Sequence, residues 1–258
     1  EEKDDESEKM REGAQELLKD ITDKLSDEFN VTSIIETGKA YEKIIEVAKE
    51  IMPRFILMGV SEVSGIKRRF VGSNTWHVLE DSPFPVITIR GDQYITDEEK
   101  ERDIVLPLDL TKNVSEQVAV AVVFAKYFNS RVRILSIVTS QSIALELTLL
   151  RRLNRAKKKI LDAGVECTAT LKKDSKTPVH DAVIEFAREE DSHLIVIMTQ
   201  EETHFMEHFI GSIAKGFIEK SDIPVLSVNP WKYESDGSIM NIFVDPLGIY
   251  NKSLNNKK

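Results

Sequence analysis

Among the side chains whose type and spacing could do chemistry, His204 and His208 come first. Residues 204–208 read HFMEH, a match to the H-x-x-E-H pattern of zinc enzymes, and histidines four apart on a helix share a face and can chelate a metal. A protease of that kind needs a third ligand on a following helix and a substrate cleft, whereas this segment stands just before the last helix of an α/β unit. Both histidines therefore read as exposed polar residues, and no metal is assigned. Cys167 alternates with Val165 and Ala169 as strand residues do, so it reads as a small buried side chain; redox work would need a partner that the sequence does not show. Trp76 and His77 read as packing on a helix face, and Ile213 and Phe217, with Phe209 before them, as ordinary helix burial. No Ser-His-Asp set or carboxylate pair can be assembled from spacing, so no catalytic residue is assigned.

Any site must be positioned by strands and helices, and the set of them occurs twice. RFILMGVS followed by FVGSNTWHVLEDSPFPVITI lies on HLIVIMTQ followed by FIGSIAKGFIEKSDIPVLSV at a constant offset of 139 positions, the separation of Gly72 from Gly211. The same offset carries Glu80 onto Glu219, Ser82 onto Ser221 and Pro85-Val86 onto Pro224-Val225. The second copy alternates as a parallel sheet with crossover helices does. Strands are predicted at 103–109, 131–138, 165–171, 193–198 and 224–228. Helices are predicted at 115–128, 144–163 and 180–190, with a last one opened by Gly211-Ser212. Gly164 suits the end of the second of these helices. The first copy begins late: residues 7–27 match the helix after the second strand, so roughly 36 residues holding strand, helix and strand have no counterpart. A sheet lacking its inner strands leaves backbone groups unpaired, which predicts a natural chain longer at its N-terminus. The segment 239–247 (IMNIFVDPL) reads as an extra strand or an arm exchanged with a partner, and the apolar pairs Phe243-Val244 and Ile249-Tyr250 are expected to dock on a surface.

The units are thus a first domain over 1–92, short of its opening strand-helix-strand, a linker over 93–102, a second domain over 103–231 and a tail over 232–258. Net charge is -9, which disfavours a nucleic-acid footprint. No apolar run approaches the roughly 20 residues of a membrane span. The opening EEKDDESEK is the opposite of a signal peptide, and the single cysteine fits a reducing compartment. The chain reads as cytoplasmic, with neither nucleic acid nor membrane as partner.

LPLD at the end of the second copy's first strand, GS after each fourth strand, and the endings SPFPVITI and SDIPVLSV together resemble the universal stress protein family in its tandem form. The resemblance implies two Rossmann-like or flavodoxin-like five-stranded parallel-sheet units, the first truncated. It also implies pairing of the last strands between repeats or across a homodimer two-fold, and a role in stress survival or regulation through partners that the sequence does not name.

Some members of that family bind ATP through G-x-x-G, nine residues, then G-[ST], where glycine admits backbone to phosphate oxygens and the helix start supplies N–H groups. Here the first copy has Gly59, Val60, Ser61, Glu62, then Gly72-Ser73. The second has Met198, Thr199, Gln200, Glu201, then Gly211-Ser212. A glutamate replaces the second glycine in both. At ~5 Å and an effective dielectric near 20, such a carboxylate opposes one phosphate charge by roughly 3 kcal/mol before screening. For phosphates the resemblance points to Gly59, Gly72 and Ser73, with the basic stretch 66–69 (IKRR) alongside. For the nucleoside it points to Asp109 on the ribose, with Pro107 and Val138 as the adenine-side wall, near Gly211 and Ser212. Helix capping is the plain alternative for both Gly-Ser pairs, and a solvated loop for IKRR. Two functions stay open: a non-catalytic stress-response protein with degenerate loops and no fixed cofactor, or an ATP- or AMP-binding sensor or weak ATPase. A nucleotide-activating enzyme on a related fold would need a catalytic motif that is not present.

Overall fold

The computed structural model describes residues 2–60, 71–90, 102–199 and 210–229. The first half supplies α1 (Glu2–Leu25), α2 (Ala40–Ile51), β1 (Ile56–Val60), α3 (Ser73–Asp81) and β2 (Val86–Arg90). The second supplies β3 (Arg102–Pro107), α4 (Ser115–Tyr127), β4 (Ser130–Val138), α5 (Ile143–Asp162) and β5 (Cys167–Lys173). It ends with α6 (Val179–Glu189), β6 (Leu194–Met198), α7 (Ser212–Lys220) and β7 (Val225–Val228). The five strands and four helices expected of the second copy are all present, within a residue or two of their expected bounds. Most of the expected linker and the whole of the tail lie outside the described residues.

All seven strands form one sheet in the order β1-β2-β7-β6-β3-β4-β5. Every neighbouring pair is parallel except β2 and β7, which run antiparallel with Ile87 opposite Leu226. The two repeats therefore merge through their last strands. The inner strands read as unbroken apolar runs because both faces are covered. Ile104 and Leu106 of β3 enter the core under α4 and α5, and Val105 between them enters the one under α3, α6 and α7.

The repeat is as visible in detail as in topology. Ser82 Oγ and Ser221 Oγ each accept from the backbone N–H two residues on (Phe84 and Ile223, 2.9 and 3.0 Å) and donate to that residue's carbonyl. This serine turn, feeding an X-Pro step into the last strand, explains the shared S-x-x-PV ending. Met52 and Asp191, also equivalent, hold left-handed conformations (φ 51° and 50°) after α2 and α6. Gly164, at φ 78°, ends α5 as expected.

Equivalent residues also grip each other across the junction. Arg90 Nη2 donates to the Glu219 carbonyl (2.6 Å), and Asn229 Nδ2 donates to the Glu80 carbonyl (3.2 Å). Lys215 Nζ sits 5.5 Å from the ring centre of its own counterpart, Trp76. His77, the other half of that expected packing pair, stacks on Tyr41 with ring centres 4.4 Å apart.

On the opposite side of the first unit the sheet stops at β1 among the described residues. Residues 28–34, which the offset places on β5, form no strand, since among the described residues no β4 equivalent stands beside them. Met10, Leu17, Ile21 and Leu25 of α1, with Phe29, Ile34 and Leu57, are left exposed.

Candidate functional site

In the second unit the chain leaves β3 for β4 on one side and later returns to β6 on the other. The carboxyl ends of β3 and β6 thus part at a topological switch point, where open α/β sheets hold ligands. A cleft of about 400 Å³ lies there, between the loop after β3, the end of β4 and the start of α7. Its floor is apolar, with Leu135 and Ile137 from β4 and Ile197 from β6; Thr111, Asn113, Thr139 and Ser140 contribute polar groups to its lining.

Pro107, Asp109, Val138 and Gly211 all line this cleft. Asp109 is exposed, and its carboxylate is already oriented. Thr111 donates to Oδ1 through both its N–H (3.0 Å) and its hydroxyl (2.6 Å), an Asx-type turn. Oδ2 has the Lys112 ammonium at 3.6 Å. Val138 is buried, its carbonyl tied to the Asp174 N–H at 3.1 Å, so the strand end forms a fixed wall. The Gly211 N–H donates to the Thr199 carbonyl (3.0 Å), which pins the start of α7 to the end of β6.

Gly211 occupies the N-cap position of α7 and Gly72 that of α3, with nearly the same backbone angles (φ -58°, ψ 151° and φ -59°, ψ 148°). Neither helix start has a side-chain cap, and Ser212 and Ser73 are the first helical residues rather than the caps. Glycine, not serine, thus stands at the cap position of both helices, which is what the plain helix-capping alternative asks of the two Gly-Ser pairs. Among the described residues nothing lies within 4 Å of where a Cβ would stand on Gly59 or Gly72, so packing does not demand glycine there. These two residues and Ser73 sit at the end of β1 and the start of α3, far along the sheet from Asp109. No strand stands beyond β1 among the described residues, so the wall that β3 provides for the second unit has no counterpart.

The structure adds residues that the sequence reading passed over. Gln117, on the first turn of α4, lines the cleft with its Oε1 buried and without a hydrogen-bond partner among the described residues. Thr111 was legible in hindsight from the D-x-T spacing of its turn; nothing in the sequence marks Gln117. Ile213, expected to be buried, is 38% exposed and lines the cleft, while Phe217 is buried as expected. Cys167 is buried, and burial pushes its thiol up to about 11, which suits an inert packing residue. Ser61, Glu62, IKRR at 66–69, Gln200, Glu201 and the histidines 204 and 208 lie outside the described residues.

A family model described as the universal stress protein family matches residues 1–90 and 101–229. The chain belongs to the universal stress protein family. Its fold agrees with that of solved members. A universal stress protein from Archaeoglobus fulgidus DSM 4304 superposes with a TM-score of 0.64 at 21% identity, covering 86% of this chain and 78% of its own. A putative universal stress protein from Pseudomonas aeruginosa UCBPP-PA14 gives a TM-score of 0.62 at 17% identity, covering 83% and 78%. A further universal stress protein from Archaeoglobus fulgidus, solved in complex with dAMP, matches 50% of this chain and 98% of its own at 24% identity, with a TM-score of 0.41. No protein of curated function matches the sequence. Among the described residues no helix is long and apolar enough to cross a membrane.

Proposed function

We propose that the chain is a non-catalytic regulatory protein of the cell interior that holds one adenine nucleotide, in the cleft of its second unit, and prefers AMP to ATP. The observation that carries this reading is Asp109. It is exposed and lines the cleft, with one carboxylate oxygen fixed by Thr111 and the other, beside the Lys112 ammonium, able to accept from a ribose hydroxyl. Gln117 Oε1 adds a buried acceptor without a donor among the described residues, which an amino or hydroxyl group of a nucleoside would satisfy.

The preference for few phosphates follows from the chain that should cradle them. Met198 stands where the first glycine would admit a phosphate, and in sequence Glu201 takes the place of the second. One phosphate can lie on the open N–H groups at the start of α7; for a longer tail the loop sequence offers a glutamate in place of a glycine, and its charge opposes phosphate. The described lining contains neither histidine nor cysteine, and one carboxylate, so it offers no acid-base pair for turnover.

Calorimetric titration of the full chain with AMP and with Mg-ATP tests the proposal, together with mass analysis of any nucleotide that survives purification. AMP should bind at least tenfold more tightly than ATP, at one site per chain. No AMP binding at millimolar concentration, or steady hydrolysis of ATP, would overturn it.

A further inference from the structure

A basic face of α5 is turned toward the loop that follows β3. Arg152, Arg155 and Lys159 recur at helical spacing and, with Lys112, line a second cavity of about 400 Å³. This cavity shares Thr111, Lys112 and Asn113 with the nucleotide cleft but lies on the other side of them, against α4 and α5.

Two of its cations are held by neutral groups. Arg152 Nη1 donates to the carbonyls of Leu110 (2.7 Å) and Thr111 (3.1 Å), and Lys159 Nζ donates to Ser115 Oγ (3.2 Å). Carbonyls and a hydroxyl fix these side chains in place without cancelling their charge. Among the described residues neither of them, nor Arg155, has a carboxylate partner. Several cations elsewhere are matched by carboxylates. Asp103 takes Arg131 and Arg133, Asp222 takes Arg188, and Lys158 on the same helix takes Asp162. Three uncompensated charges thus converge on one cavity in a chain whose net charge is -9.

We propose that this cavity binds a small anion bearing phosphoryl groups, a phosphate ester or a pyrophosphate. Arg155 and Lys159 ligate it and Arg152 holds the loop that forms its wall. A membrane surface and a nucleic-acid backbone carry the same phosphoryl chemistry, but both are extended polyanions that the rest of this acidic chain repels. A small anion meets only the local charge.

The test is calorimetric titration of the full chain with inorganic pyrophosphate, for wild type, for Arg155→Ala combined with Lys159→Ala, and for Arg155→Glu alone. Circular dichroism establishes that each variant is folded; Arg155 is exposed, so the single variant keeps the test alive if the double one is unstable. The expected result is saturable binding of one pyrophosphate per chain, weakened tenfold or more in either variant and reduced as salt is raised. No saturable binding would overturn the proposal, as would equal binding by wild type and variants. So would binding of anionic vesicles or a DNA duplex through these residues with none of pyrophosphate. No nucleotide is added, so the outcome is distinct from the fate of the AMP reading.

Discussion

Asp109 decides whether the cleft is a nucleotide site, because its carboxylate is the charged acceptor aimed there. Replacing it by asparagine keeps the shape and removes the charge. A hydrogen bond to a charged group is worth about 1.5–3 kcal/mol, so Asp109→Asn should weaken AMP roughly 10- to 100-fold in a binding titration with little change in melting temperature. Gly216 is a different kind of residue. A Cβ placed on it would stand 2.5 Å from the ring of His180, which packs across α7. Gly216→Ala should therefore cost about 1–3 kcal/mol in urea unfolding, and His180→Ala in the same chain should recover part of that loss. The first repeat solves the same contact otherwise, with Tyr41 stacked on His77 at the two equivalent positions. Asp174 accepts from the N–H groups of Lys176 and Thr177 (both 2.9 Å), and these bonds hold its carboxyl down to about 2. A folded-state value below the ordinary 3.8 means stability that is full above about pH 4 and lost as pH falls toward 2. Asp174→Asn keeps the turn's acceptor and should flatten that acid limb of the stability curve, which thermal melts from pH 5 to pH 2 would reveal.

At the scale of elements the sequence was legible where periodicity and punctuation agreed. The continuous apolar run of β6, Gly164 after α5 and the S-x-x-PV turns all have local physical causes, and all lie where their residues place them. What was not legible depends on partners distant in sequence. Asp103 reads as the first residue of a strand, yet it is 2% exposed and gripped by Arg131 Nε (2.7 Å) and Arg133 Nε (2.6 Å) from the neighbouring strand. Only the alternation of two arginines on β4 hinted at it. The junction between repeats was likewise implied by the family resemblance, but not the reciprocal bonds from Arg90 and Asn229. Each makes a part-buried hydrogen bond to a carbonyl on the other repeat's helix, so Arg90→Ala and Asn229→Ala should each cost about 1–2 kcal/mol in denaturant unfolding. The two bonds are separate, so the double variant should lose the sum.

At the scale of the molecule, one sheet serves two unequal halves. The second half closes a cleft because β3, β4 and β5 extend the sheet beyond β6; among the described residues the first half ends at β1, with Leu57 56% exposed on that strand. An apolar edge strand is a template for pairing with another chain. The protein should self-associate as its concentration rises, and Leu57→Lys should reduce that association in sedimentation velocity without lowering thermal stability. The same asymmetry assigns ligand binding to the second half, although the first keeps more of the phosphate-loop glycines. This division of one site to one half is the central claim, and paired titrations with AMP test it most directly. Asp109→Asn is expected to weaken binding at least tenfold, while Gly72→Ala, at a helix start where a Cβ meets nothing among the described residues, leaves it unchanged. Binding that survives Asp109→Asn and falls with Gly72→Ala would place the nucleotide in the first half and contradict the account.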